Sequence, residues 1–397
     1  MSAMRRWAMI VVALISTAIV WGIILPSFSL WSPQWIKAFG ASHGEIMAAN
    51  TLNQIGMGLI APIAGYAVGA VSVRALMLLG AGATAAALVL IAHATAMWQV
   101  TLLHTIALSA GLVLCGPVVT QVLAVRLFVQ NSGLALGIVS SGAALCGFTM
   151  PPLIGALLEH FEWRVVDLQL AGLVLLLMPL IFLVVRQPRV ENGQPQPVDP
   201  PSLSVGDVFR SRIFWGLLLF ILPLHLLFNA IFYNLGFSIA DMGGGAGETA
   251  TILTLTGLVA LPGILVFGFL ADRVAHWPLL LAAGAVIALC CALIAFARSY
   301  GVMLFAVPVM GFAVGGLIPL IAAVLADHFA AANFARANGL ITPFITLATL
   351  GSALAGFGRD YLGSYQAVDA VLLMGLPVCA LGLLVLRFPA PAKAIAV

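Results

Sequence analysis

Between Ile213 and Phe237 the chain runs for 25 residues without an Asp, Glu, Lys or Arg. A run of that length crosses the roughly 30 Å hydrocarbon core of a bilayer as a helix. In lipid every backbone N–H and C=O must be satisfied internally, so only helices and closed barrels span. The rest of the chain repeats the pattern: 63% of the 397 residues are hydrophobic and 7% are charged, with a mean hydropathy of +1.16. Sixteen basic and 13 acidic residues are too few to coat a soluble protein of this size. The expected class is therefore an all-α, polytopic membrane protein.

Windows of about 20 apolar residues predict twelve transmembrane helices between residues 7 and 387, the second and eleventh being the least apolar. Placing both termini in the cytoplasm puts twelve of the sixteen basic residues in inside loops, against Lys37, Arg164, Arg298 and Arg359 outside. That bias follows the positive-inside rule and predicts an inner (plasma) membrane protein with cytoplasmic termini. The one long polar segment, Gln187 to Arg212, is rich in Pro. It reads as a cytoplasmic linker (187–212) between two six-helix bundles, 1–186 and 213–397. "GLVLCGPVVTQVLAVRLFVQNSGLALG" (111–137) and "GFAVGGLIPLIAAVLADHFAAANFARANGL" (311–340) resemble each other weakly. Two similar halves running in one direction place a binding site at their interface near the membrane midplane.

Other classes fit poorly. The arginines are scattered over short loops, which argues against nucleic acid as a partner. Cys115, Cys146, Cys290, Cys291 and Cys379 lie in apolar runs without CxxC spacing and read as core residues. Trp7 to Leu30 is too long for a signal-peptide core and is expected to be the first span. There is no GxxxxGK[ST], no HExxH and no metal-spaced Cys/His set, so neither an enzyme nor a cofactor or metal is expected. A cuprous-ion carrier using Met57, Cys115 and Cys146 lacks ligand-like spacing.

Polar residues inside spans are costly in lipid and point to hollows or helix contacts. His225, Asn229 and Tyr233 recur every four residues, so they share a face about 80° wide. Asn50, Asn53, Gln54 and Met57 follow i, i+3, i+4, i+7 spacing in the second span, a face of amides suited to a solute with carboxylate or carbonyl oxygens. Thr17 and Trp21 in the first span, His104 and Cys115 in the fourth, and Thr346 in the eleventh complete the expected lining. For each, the competing reading is a side chain that glues two helices together. No carboxylate is expected deep in a span, which leaves His225 and His104 as the buried titratable candidates.

After the eighth span stands "GFLADRVAHW" (268–277), and this G-x-L-A-D-R resembles the cytoplasmic signature of the major facilitator superfamily. The resemblance implies that Gly268 allows close helix approach and that Asp272 and Arg273 supply breakable charge contacts between helix ends, with Asp327 near by. In the first half, "GYAVGAVSVR" (65–74) keeps Gly65 and Arg74 but has Gly69 and Ala70 where the acid and base belong. "FGASHGEI" (39–46), "VRLFVQNSGLALGI" (125–138) and "GLALGIVSSGAALCGFTMPPLIGALLEHFEWR" (133–164) look like bacterial monocarboxylate-transporter-like members. The implied function is secondary active transport of a small organic solute by alternating access. The partners are then the solute, a coupling proton or counter-solute, and membrane lipid, and the protein is a monomer. Characterised relatives often carry a substrate-pairing Arg in the eighth span, whereas this chain has no base there before Arg273. An exporter of neutral or apolar compounds therefore stays open as the alternative.

Overall fold

The computed structural model describes residues 3–128, 132–186, 204–271, 273–296 and 299–387. Among the described residues there is no strand, and nine helices are long and apolar enough to cross a membrane. The second, fifth and eleventh expected spans are not among those nine. The second and fifth are nonetheless helices of 28 and 29 residues, and the polar stripe of the second lowers its apolarity. Most of the linker, residues 187–203, lies outside the described residues, as does Asp272.

Contacts divide the chain into two compact units. The first comprises Met1–Gly193, Tyr233–Leu258 and Ser352–Tyr361; the second comprises Gln194–Phe232, Val259–Gly351 and Leu362–Val397. The units are thus not the two contiguous sequence halves, since two stretches of the later chain pack with the earlier one.

The early helices of the first unit are α1 (Ala3–Ile24), α2 (Phe28–Phe39), α3 (His43–Ala70), α4 (Val73–Ala92), α5 (Met97–Leu103), α6 (Ser109–Leu114), α7 (Pro117–Leu127), α8 (Ser132–His160) and α9 (Trp163–Val184). Pro26 sits in a turn that separates α1 from α2, a full break where a kink is the minimum Pro imposes. Gly40 ends α2 with φ +61°, a left-handed position that glycine tolerates. Ser42 then opens α3 with a capping box: its hydroxyl accepts from Glu45 N while the Glu45 carboxylate accepts from Ser42 N. Helix α1 packs along α8 and α4 along α9.

Later elements are α10 (Val205–Arg210), α11 (Arg212–Tyr233), α12 (Leu235–Asp241), α13 (Ala246–Ala271), α14 (His276–Phe296), α15 (Tyr300–Leu347), α16 (Leu350–Leu362), α17 (Tyr365–Leu372) and α18 (Leu376–Arg387). Helical backbone continues through 327–337, between the tenth and eleventh expected spans, because "AAANFARA" is rich in the strongest helix former. In the second unit α14 packs along α15. Within the first unit α12 packs on α2. Below, the distal end means the helix ends remote from the 187–212 segment, where α2 gives way to α3.

Candidate functional site

The fourth expected span is not one helix. Its chain breaks at Cys115 and Gly116 and restarts at Pro117, which has no N–H to continue the ladder. Gly116 N turns to Val113 O and Val119 N to Gly116 O, so the carbonyls of Leu112 and Cys115 lose their usual donors. Two side chains of α1 replace them: Trp21 Nε1 donates to Leu112 O at 2.8 Å and Thr17 Oγ1 to Cys115 O at 2.7 Å. Cys115 is itself fully buried, with Sγ 3.3 Å from Met77 O. Two expected lining residues, Thr17 and Trp21, thus serve to close a break in the first unit, and a third, Cys115, lies in the break itself. Trp21→Phe should strand Leu112 O and lower stability by about 1–3 kcal/mol. Thermal melting of the purified protein reads this directly, and an unchanged midpoint rules the bracing role out.

The second interruption is a π-helical turn, His104–Leu108. Such turns widen the helix and expose a carbonyl, and they recur at functional sites. Here His104 O accepts from Ser109 N across the widened turn, and Asn53 Nδ2 also donates to it at 2.6 Å while reaching Ser109 Oγ at 3.1 Å. Ser109 Oγ in turn donates to Asn53 O at 2.6 Å. The His104 ring is buried edge-on between Phe28 and Trp35, at centroid distances of 5.4 and 5.6 Å.

On the same face of α3, one turn nearer the distal end, Asn50 Nδ2 donates to Ser352 Oγ at 3.2 Å and Thr51 Oγ1 lies 3.0 Å from the same hydroxyl. Asn234 Nδ2 reaches Ser352 O at 3.1 Å, and Tyr233 bonds the Gln54 side chain. Residues from α3, α11, α16 and the α11–α12 junction therefore meet in one buried polar layer. Asn50 Oδ1, Asn53 Oδ1 and Gln54 Nε2 remain without a protein partner among the described residues. Two acceptors and one donor on one helix face are the hydrogen-bonding capacity a polar solute needs.

In the second unit, His225 and Asn229 are half-buried on α11. His225 Nδ1 lies 3.3 Å from Ile221 O, whereas Asn229 Nδ2 donates to His225 O at 2.7 Å and to Ala348 O at 3.3 Å. Thr346, also half-buried, has its carbonyl taken by Thr349 Oγ1 at 2.8 Å. The expected stripe is thus divided, for Tyr233 belongs to the first unit and the other two to the second.

A further cluster, which the sequence did not single out, lies at the distal end of the first unit. Asp360 of α16 accepts from Gly44 N at 2.8 Å, from His43 N at 3.1 Å and from the His43 ring at 2.9 Å. A carboxylate on the first-turn amides of α3 is matched to the positive end of that helix. Partial burial works against its charge, but the bonds from Gly44, Ser42 and His43 outweigh this and hold the carboxyl below its ordinary value. Beside it Arg359 pairs with Asp241 at 3.5 Å. The only signal in the sequence is an acidic residue after Arg359 near a helix end. Glu45, Asp241 and Glu248, near helix ends, are engaged by Ser42 N, Arg359 and Gly245 N respectively. Two further acids, Asp167 and Asp369, are buried in α9 and α17, where no buried carboxylate was expected.

At the other end of the helices, Asp327 is paired with His276 at 3.5 Å. Arg273 stacks over Phe269 at 3.5 Å and Arg74 over Phe182 at 5.0 Å. Asp272 lies outside the described residues. At Gly268 a Cβ would stand an ordinary 3.7 Å from Pro319, so the close approach of α13 and α15 is made elsewhere, at Gly263 against Phe312 O and at Gly315 against Ala260 O.

A family model described as Major Facilitator Superfamily matches residues 7–307 and 225–396. The chain is 26% identical over 287 residues to Monocarboxylate transporter 12-B of Danio rerio, which covers 60% of this chain and 57% of that protein. It is 27% identical over 257 residues to Agnestins efflux protein AgnL12 of Paecilomyces divaricatus, covering 62% and 57%. The matches span less than two thirds of these curated relatives. Among solved structures, a bacterial homolog to the human lysosomal transporter Spinster, in an inward-facing and unoccupied conformation, superposes with a TM-score of 0.76 at 13% identity over 98% of this chain and 96% of that one. That likeness establishes the fold. With a family match along nearly its whole length and an all-helical fold to go with it, the chain belongs to the major facilitator superfamily of membrane transporters and is not an enzyme.

Proposed function

We propose that the protein is a secondary active transporter carrying a small organic solute, a monocarboxylate or similar metabolite, across the bacterial inner membrane by alternating access. Both termini are then cytoplasmic and the distal end faces outward, in keeping with the distribution of basic residues. The observation that carries the reading is the distal cluster within the first unit. It joins segments 316 and 317 residues apart through charge-assisted bonds at a helix end, contacts that break without unfolding anything. The relatives named as monocarboxylate transporters support the solute class, as does the amide face of Asn50, Asn53 and Gln54. His225, Asn229 and Thr346, within the second unit, are proposed as solute-contacting residues.

Helix α13 carries no Lys or Arg. Desolvating a carboxylate without a cationic partner costs several kcal/mol, so we infer that the acid travels with a proton, as a neutral pair. The same observation favours a second reading, export of a neutral compound, and one relative is named as an efflux protein. Proteoliposome uptake separates the two. Saturable, nucleotide-independent uptake of a monocarboxylate that rises when the far side is made alkaline is the expected result, and His225→Gln should reduce it at least about tenfold if the ring carries the proton. Failure across a broad acid panel, with movement of neutral compounds instead, selects the exporter.

A further inference from the structure

The start of α11 and the end of α18, both in the second unit, enclose an open groove of about 480 Å³. Its rim carries Arg210 and Arg212, and its floor is Trp215, Leu219, Leu384 and Val385. Charge and apolar surface are thus separated along the helix axis: Trp215 and Leu219, four residues apart, share one face of α11. Leu219 lies roughly 10 Å deeper than Arg212 at 1.5 Å per residue.

The groove is built rather than incidental. Trp215 Nε1 donates to Phe209 O at 2.7 Å, tying the short helix that carries Arg210 to α11. Phe209 also packs edge-on against Phe214 and Phe344, at 5.3 and 6.3 Å. Neither arginine forms an ion pair among the described residues. The acid on α10, Asp207, is bonded by Ser204 N and Oγ at 2.9 and 2.7 Å and feels the Arg210 charge without pairing with it directly. Leu384 is 52% and Trp215 43% exposed, which in a spanning helix means contact with lipid. Two guanidiniums that make no direct ion pair among the described residues, above a lipid-facing apolar floor, complement a phosphate joined to an acyl chain.

We propose that this groove binds an anionic phospholipid, with the headgroup phosphate on Arg210 and Arg212 and an acyl chain along Leu219 and Leu384. The site lies at the end of the helices next to the 187–212 segment and is independent of the transported solute. Arg rather than Lys at both rim positions suits bidentate phosphate contact, and the indole suits the interface between headgroup and hydrocarbon.

Native mass spectrometry of the full chain, titrated with phosphatidylglycerol, phosphatidylcholine or inorganic phosphate, tests it. The wild type should retain phosphatidylglycerol roughly tenfold better than phosphatidylcholine and should not retain inorganic phosphate. Arg210→Gln with Arg212→Gln should erase the preference, whereas Lys37→Gln at the distal end should leave it intact. Leu219→Trp fills the floor without touching the charges and should also weaken phosphatidylglycerol binding, which decides the matter if the double variant does not fold. Equal retention of both lipids by the wild type, an undiminished preference in the double Gln variant, or inorganic phosphate held as well as the lipid would each overturn the proposal.

Discussion

Asp360→Asn is expected to open the distal end of the first unit about tenfold more often than in the wild type. Hydrogen bonds to a charged group contribute about 1.5–3 kcal/mol each, and this carboxylate takes three. Its side chain is 28% exposed and that of His43 21%, so water screens part of the gain and the net loss is set at roughly 1.5 kcal/mol. Ser238, buried at 6% on α12, provides the reporter. Since all five native cysteines are buried, a membrane-impermeant maleimide acting on Ser238→Cys reads the opening rate against a low background. An unchanged rate in the Asn variant would show that Asp360 holds nothing shut. The pH dependence has a fixed sign. Because the carboxyl is depressed, its contribution is fully present above the ordinary carboxylate range near 4 and is lost only as the pH falls through the lowered value.

Gly257→Ala should do more damage than any polar substitution at this end. A Cβ at Gly257 would lie 2.5 Å from the Gly147 carbonyl carbon and 2.8 Å from its Cα, and both are backbone atoms with no rotamer to yield. Replacing Gly by Ala inside a helix stabilises it by about 0.5–1 kcal/mol, but forcing α13 off α8 costs about 1–3 kcal/mol or more. The clash wins. Distal closure is then lost, so turnover in proteoliposomes should fall more than tenfold while Ser238→Cys labels faster. If Gly257→Ala transports normally, the two helices do not need to touch there.

The membrane class, the helical content and the superfamily were legible because each rests on long-range averages or on a contiguous motif. What a polar residue does inside a span was not. Asn53 and Thr17 have the same spacing whether they line a hollow or staple a helix. The difference is decided by what the neighbouring helix presents, here the His104 carbonyl at the π turn and the carbonyls freed by the Gly116–Pro117 break. Half of that clue was visible, since a Gly-Pro step within an apolar span announces unpaired carbonyls. Which side chain would reach them depends on how α1 packs, and Trp21 is 91 residues away. Asp360 escaped notice for the same reason at greater distance. Its partners are the amides of Gly44 and His43, and backbone amides leave no mark on a sequence.

Because segments 233–258 and 352–361 complete the first unit, synthesis and assembly are out of step. By the time the ribosome has made the first six spans, nothing yet exists to seat on the opening turn of α3 or to meet Gly147. The last of that surface must wait until residue 360 has been translated and inserted. A polypeptide stopped at the linker should therefore behave as an unfinished article, prone to capture by membrane chaperones or by its own copies, and separately expressed halves should rescue one another only when made together.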